Sequence, residues 1–298
     1  VATIEELIRQ TLITDAEMAE KLVQYKNTPA VFEKQAPGDG NKDWHGTQYP
    51  RLTYLAVFQD DPERKVSGIV TIDIVTKLDD ETGPEVVEEI LKRLLDGTFY
   101  ETNMGTLATR WQRSDLWDEV DEQVTGMTVI LDILAFPKQT LPDDPGNPKP
   151  DPIAGLISWT RTLLNEEGAF FVNGNPQTQP VWKPTAVKPA IYWRFAREEL
   201  YQLTNAVAWF NASCACHVMA PSPTDRIPYI RQITDALAAA GTITLPDDSP
   251  MLFFGNINAD SNGDMLSVGQ ITVSGRYGVL RPTPIADYKL NNIEFKEG

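Results

Sequence analysis

Six prolines fall between positions 137 and 152, at 137, 142, 145, 148, 150 and 152, interleaved with Asp143, Asp144, Gly146 and Asn147. A locked φ and a missing N–H at every few residues exclude both a helix and a central strand, so the stretch reads as an extended, semi-rigid spacer. It divides a 298-residue chain into halves that each approach the length of one ordinary domain. The expected division is a domain over residues 1–137, a linker over 138–151, a second domain over 152–282 and an extended C-terminal arm over 283–298.

The two halves carry the same order of elements. In the first, Thr3-Ile-Glu-Glu6 and Thr14-Asp-Ala-Glu17 are capping-box patterns, each opening a short amphipathic helix. In the second, Asp151 caps a helix with Pro152 at its first position, carried by Leu156, Ile157, Leu163 and Leu164 to a stop at Gly168. A Pro-led strand follows in each, Pro50 to Val57 and Pro189 to Phe195, and then a long strand, Val66 to Val75 and Ala208 to His217. A shift of 142 sets Val70, Ile72 and Ile74 on Ala212, Cys214 and Cys216, which makes the two cysteines core residues.

Each long strand leads to a helix. Pro84 to Asp96 buries a stripe of Val86, Val87, Ile90, Leu91, Leu94 and Leu95 and stops at Gly97; its counterpart starts at Thr224 or Asp225 and stops at Gly241. Closing strands follow, Met127 to Leu134 and Gly269 to Arg276, where the same shift sets Val129 and Leu131 on Ile271 and Val273. The pattern predicts an α+β chain of two tandem similar domains, each an antiparallel sheet with helices packed on one face.

Composition narrows the function. The chain has 26 Lys and Arg against 42 Asp and Glu, a net charge of −16, which opposes tight binding of a phosphate backbone. The surplus is uneven: residues 1–150 hold 15 basic and 28 acidic side chains (−13), residues 151–298 hold 11 and 14 (−3). Two cysteines spaced for one strand face exclude a disulfide scaffold, and with His45 and His217 the only histidines a zinc site lacks ligands. No stretch has the roughly 20 apolar residues that span a bilayer, and the N-terminus does not resemble a secretory signal, so assembly in a cytoplasm is expected.

Candidate chemistry dissolves on inspection. Asp260-Ser-Asn262-Gly-Asp264 begins like a calcium loop, but Met265 stands where that loop needs Gly, so Asn262-Gly263 reads as a hairpin turn. Gly38 to Gly46 lacks phosphate-loop spacing and reads as a mobile loop; His217 lies on the strand face opposite the cysteines and is expected at an interface or in solvent. Acidic pairs such as Asp60-Asp61, Asp118-Glu119, Asp121-Glu122 and Glu198-Glu199 read as solvated loops. Trp111, Trp117, Trp182, Trp193 and Trp209 suit subunit packing more economically than a sugar platform. No catalytic residue, metal or cofactor is expected.

The helix carrying Leu12-Ile-Thr-Asp-Ala-Glu-Met-Ala-Glu-Lys-Leu22, the entry Tyr49-Pro-Arg-Leu-Thr-Tyr54, the strand Val66 to Val75 and the helix Pro84 to Gly97 resemble the tail terminator (tail completion) proteins of tailed bacteriophages. The resemblance covers most of residues 3–136, with the second half a diverged copy. It implies a non-enzymatic virion protein, assembled in the host cytoplasm, that forms a ring capping the head-proximal end of the tail tube. The implied partners are other copies of the chain, the tail tube protein and the neck or connector protein, with no membrane. DNA would pass through without tight binding, and the loop acids Asp60, Asp61 and Glu63 are candidates for facing that channel. Family members usually hold one unit. Two units leave open six chains, with an outer or stacked tier touching a sheath, or three chains supplying six pseudo-equivalent positions. The alternatives are another tail or baseplate structural protein and, from a different class, a carbohydrate-binding or carbohydrate-active protein.

Overall fold

The computed structural model describes residues 2–38, 40–45, 48–58, 66–78, 83–142, 144–165, 167–173, 179–263 and 268–281. Thr3 opens α1 (Ile4–Thr14) with the reciprocal cap its sequence announces: its hydroxyl accepts the Glu6 amide at 3.3 Å and the Glu6 carboxylate accepts the Thr3 amide at 3.0 Å. The cap of α2 (Ala16–Lys21) is Asp15, not Thr14. Thr14 stays helical, its hydroxyl donating to the Gln10 carbonyl, and the Asp15 carboxylate takes the Met18 amide at 2.9 Å.

The first half continues through β1 (Gln24–Tyr25), β2 (Thr28–Pro29), β3 (Val31–Glu33), β4 (Arg51–Phe58), β5 (Val66–Lys77), α3 (Pro84–Leu95), β6 (Phe99–Thr102), β7 (Gly105–Glu119) and β8 (Val124–Phe136). The second holds α4 (Pro152–Leu164), β9 (Phe170–Phe171), β10 (Val181–Trp182), β11 (Ala190–Leu203), β12 (Val207–Met219), α5 (Pro223–Ala240), β13 (Thr242–Thr244), β14 (Pro250–Phe253), β15 (Asn258–Ala259) and β16 (Ile271–Leu280). Asp151 caps α4 through the amides of Ile153 and Ala154, and Asn165 in a positive-φ conformation ends it short of Gly168. Ser222, one position before Pro223, caps α5 with Asp225, and Gly241 in the left-handed region closes it.

Beside a two-stranded β1-β2 sheet, two large sheets result, in the orders β10-β6-β7-β8-β5-β4-β3 and β13-β14-β16-β12-β11-β9, with β15 also paired to β16 in the second. Without β10 the orders correspond strand for strand, down to an edge strand (β3, β9) that pairs parallel to its neighbour in an otherwise antiparallel sheet. The fold is therefore α+β, with two similar sheet-based units in tandem. Registers amend one alignment. Ile72 lies between Tyr54 and Val129, and Cys216 lies between Trp193 and Ile271. With the Pro-led strands and closing strands held in correspondence, the long strands align at a shift of 144, one pleat from 142. Because side chains alternate with period two, that slip leaves the buried face unchanged.

Each sheet packs its helices on one face. The first core joins Leu7, Ile8 and Leu12 of α1 and Val87, Ile90 and Leu91 of α3 to Val70, Ile72, Ile74, Val129 and Leu131. The second joins Ile153, Leu156, Ile230, Ile233 and Leu237 to Trp193, Cys214, Cys216, Ile271 and Val273. A third core spans both units: Phe99, Ala108, Leu134 and Phe136 against Val172, Trp182, Ala190, Tyr192 and Met219. Its members sit on the faces away from the helices. In addition β10, contributed by the second half, extends the first sheet by pairing with β6. The linker is tied to the second sheet, Pro137 accepting the Tyr192 hydroxyl at 2.8 Å and the Gln139 side chain accepting the Phe195 amide at 3.3 Å.

Candidate functional site

What the fold leaves uncovered is backbone edge and helix-free sheet face. On β7 the outer side is met by β6 through Ala108 and by the Thr98 and Asp96 region through Trp111; beyond it no described strand pairs β7 out to Glu119. On β11 the parallel β9 covers Ala190 and Ile191 and the linker reaches Phe195, so the edge from Arg197 to Leu203 is open among the described residues. Leu116 and Val120 at the first edge and Leu200, Tyr201 and Leu203 at the second are exposed apolar side chains. Unpaired N–H and C=O groups beside apolar side chains form a template for another chain.

The helix-free faces carry an aromatic signature in both units. Trp117 of β7 lies over Gly126 of β8, where an added Cβ would come within 2.2 Å of the indole; Trp209 of β12 lies beside Gly278 of β16, where a Cβ would come within 3.2 Å. The glycines make room for rings that lie along the pleat instead of standing off it. On the first face the Trp117 indole donates to Thr128 and the Thr128 hydroxyl donates to Asp73 at 2.7 Å, a chain across three strands. On the second, Arg276 is stacked on the Tyr201 ring at 3.5 Å, and its Nε donates to the Asn211 side chain at 3.0 Å. The bulge between Leu200 and Gln202 turns Tyr201 onto that guanidinium.

Other tryptophans are spent inside. Trp182 stacks on Phe99 at 4.2 Å in the inter-unit core, and Trp193 lies in the second core with its indole donating to Thr160. Trp111 is half-buried beneath the Lys92 ammonium. His217 is fully buried, accepting from Arg194 Nε at 2.9 Å and resting against Tyr192. The structure thus buries it among residues of the second unit, where the strand pattern predicts an interface or solvent position. The loop between β3 and β4 differs from expectation where it is described: Trp44 is fully buried against Phe32 and Tyr25, a satellite core that anchors it. An isolated indole among glycines was the signal for this, outweighed in the sequence by its polar neighbours.

Titratable groups show burial, not activation. Desolvation pushes the Cys214 thiol up to about 12 and raises Cys216 well above its ordinary value, so both are inert hydrophobes at neutral pH. Burial also raises Tyr192 to about 12 and lowers Lys183, partly opposed by Asp96. Asp96, Arg110, Trp111 and Lys183 line a cleft of about 210 Å³ at the junction of the units. Its carboxylate is already engaged by the Trp111 amide, and the volume suits a side chain better than a substrate. Among the described residues no group of three or more His, Cys, Asp or Glu is placed to hold a metal ion, and no helix is long and apolar enough to cross a membrane. Asp260 to Gly263 forms a turn closed by the Gly263 amide on the Asp260 carbonyl, with β15 paired to β16; Asp264 and Met265 lie outside the described residues. So do Asp60, Asp61 and Glu63 and the arm 283–298. Of the acidic pairs, Asp118 and Glu119 end β7 and Asp121 and Glu122 lie in the turn that follows, all exposed; Glu198 and Glu199, expected in a solvated loop, instead lie within β11, where Glu198 accepts from the Tyr277 hydroxyl and Glu199 pairs with Arg197.

No protein-family model and no curated protein matches the chain. Among solved structures, a chain from the virion of a native gene transfer agent particle is similar over 43% of this chain and 90% of its own length, at 14% identity and a TM-score of 0.33.

Proposed function

We propose that the protein is a non-enzymatic structural component of a virion, and within it the tail terminator, a ring that caps the head-proximal end of the tail tube and meets the neck. The observation that carries this reading is the pair of helix-free faces, each used over only part of its extent inside the chain and bordered by an open strand edge. A lone globular protein has no use for two such surfaces, and assembly does. The order of elements behind the terminator resemblance supports the finer assignment, as does the acidic surplus of the first half, which suits a surface that DNA passes without adhering. Expected contacts are other copies of the chain, the tube protein and the neck or connector protein, with an outer sheath contact if the second units form a separate tier. Asp60, Asp61 and Glu63 remain the candidates for the channel wall. Electron microscopy of assembled particles tests the assignment. Density for this chain in a closed cyclic ring at the head-proximal tube end is expected; its absence there, or its presence without closed symmetry, refutes the terminator role.

A further inference from the structure

The joint between the two units is made of unlike surfaces. The first unit contributes Phe99, Ala108, Leu134 and Phe136, from the β6-β7-β8 end of its sheet. The second contributes Ala190, Tyr192 and Met219 from β11 and β12, which correspond to β4 and β5. In the shared topology these are opposite ends of one sheet, so each chain retains one unused counterpart of each. Register identifies them. Phe99, Ala108, Leu134 and Phe136 correspond to Thr242, Leu252, Arg276 and Gly278. Ala190, Tyr192 and Met219 correspond to Arg51, Thr53 and Val75, with Asp73 in the place of His217.

We propose that these two unused surfaces meet between chains: the helix-free face of the second unit around Arg276 docks on the helix-free face of the first unit, around Asp73, of a second copy. Charge and apolarity are complementary. Arg276 is held by Tyr201, Asn211 and, at 5.5 Å, Phe254, and among the described residues its terminal nitrogens have no acceptor. Leu252 beside it is 51% exposed. Asp73 accepts one hydrogen bond, from Thr128, and is in no ion pair among the described residues; Leu55 and Val57 lie exposed on the same face. Arg51, the other charge on that half, sits over the Tyr49 ring at 4.7 Å. A contact between unlike surfaces propagates head to tail and closes into a ring when the rotation allows. With two units per chain, three chains then present six similar units around the axis. The joint between chains lacks one element. The loop carrying Trp182 reaches across to β6, whereas its counterpart, carrying Trp44, is folded onto its own unit.

The inference deepens the ring reading above and is tested separately from it. Full-length T53C and L280C variants are mixed at high concentration with a short bis-maleimide; the buried native thiols stay silent. Phe136 and Tyr192 touch at 5.2 Å in the internal joint, so their counterparts Gly278 and Thr53 should be neighbours, with Leu280 exposed one pleat on. Dimers should form from the mixture and from neither variant alone, and the double variant should give a ladder. R276E should lower the yield about tenfold, because it places like charges across the joint, and D73K should restore it. Circular dichroism of each variant establishes that it is folded. A ladder overturned by neither charge reversal, equal cross-linking by T53C alone, or no cross-link at all refutes the joint. A ladder from a protein that microscopy finds away from the tube end upholds the joint and sinks the terminator role; a terminator ring without the cross-link does the opposite.

Discussion

Replacing Trp182 by Ala probes whether the two units share one core or merely abut. The indole is 6% exposed, stacked on Phe99 with an interplanar angle of 8°, tilted against Phe170 at 4.7 Å and hydrogen-bonded to Glu101. A buried tryptophan removes on the order of 200 Å² from water, which at about 25 cal/mol per Å² is roughly 5 kcal/mol. Measured truncations of buried aromatics cost about 3–5 kcal/mol, and the lower half of that range suits a site at a seam, where solvent can fill the space. The loss falls on coupling, because Trp182 lies in the second half of the sequence while its strand completes the first sheet. Scanning calorimetry should show one cooperative transition in the wild type and two in W182A, the earlier lowered by roughly 10 °C at about 2–4 °C per kcal/mol. Trp209→Ala, on the open face, is the control and should cost about 1 kcal/mol or less. A W182A protein that still unfolds in one step, within about 1 kcal/mol of wild type, would refute a shared core.

Gly126→Ala puts a methyl 2.6 Å from the Ile74 carbonyl as well as into the Trp117 ring; it should lower stability in urea by about 1–3 kcal/mol, and an unchanged midpoint would contradict the close packing. Cys214 and Cys216 should resist an aromatic disulfide reagent at pH 8 in the native protein and react in urea; rapid native labelling would show that the second core is open. At Asp15, burial raises the carboxyl pKa, but the Met18 amide and the Arg93 guanidinium outweigh it, leaving a net value below 3.8. A depressed folded pKa gives stability that is present above the unfolded value and lost as pH falls through the folded one. Asp15→Ala should therefore cost about 1–2 kcal/mol at pH 7 through the lost cap, with the gap to wild type narrowing below pH 4; a constant gap would argue against the carboxylate as its origin. Duplex DNA should show no measurable binding at low salt, and tight binding that weakens steeply with added salt would refute the non-adhesive surface, since that slope counts neutralised phosphates.

The sequence carried the element order because caps, stops and alternation are local. Thr3, Asp151, Gly97 and Gly241 act where their patterns placed them. It missed Asp15 as a cap by one residue because Thr14 and Asp15 both suit that role, and only the turn of the preceding helix decides between them. The one-pleat slip of the long strand was invisible because a shift of two preserves every inward side chain, leaving hydrophobic pattern indifferent to it. The joint was illegible for a different reason. Phe99, Ala108, Leu134, Phe136, Tyr192 and Met219 sit on faces that a single sheet would give to solvent, so they read as strand residues of no particular assignment. The same holds for Arg276, which acquires its fixed position only when the bulge beside Leu200 delivers Tyr201.

Holding two similar units in one chain changes the status of the joint between them. Tethered by the linker, the Phe99 and Tyr192 surfaces meet at an effective concentration set by the chain, independent of how much protein is present. That joint can then afford to be dry, aromatic and closed by an added strand, as Trp182 and β10 make it. The outer counterparts have the opposite requirement. A joint between chains that was equally apolar would drive rings, or open filaments, wherever the protein was made. Substituting Arg276 and Thr242 for Leu134 and Phe99, and Thr53 and Asp73 for Tyr192 and His217, leaves a polar surface with a single charge pair and few apolar contacts. Folding the Trp44 loop onto its own unit withdraws the strand that would have clasped the neighbour. In the proposed ring such a contact would be weak between dilute free molecules and become effective once a tube end held several copies side by side, which would tie ring closure to the place where the ring is needed.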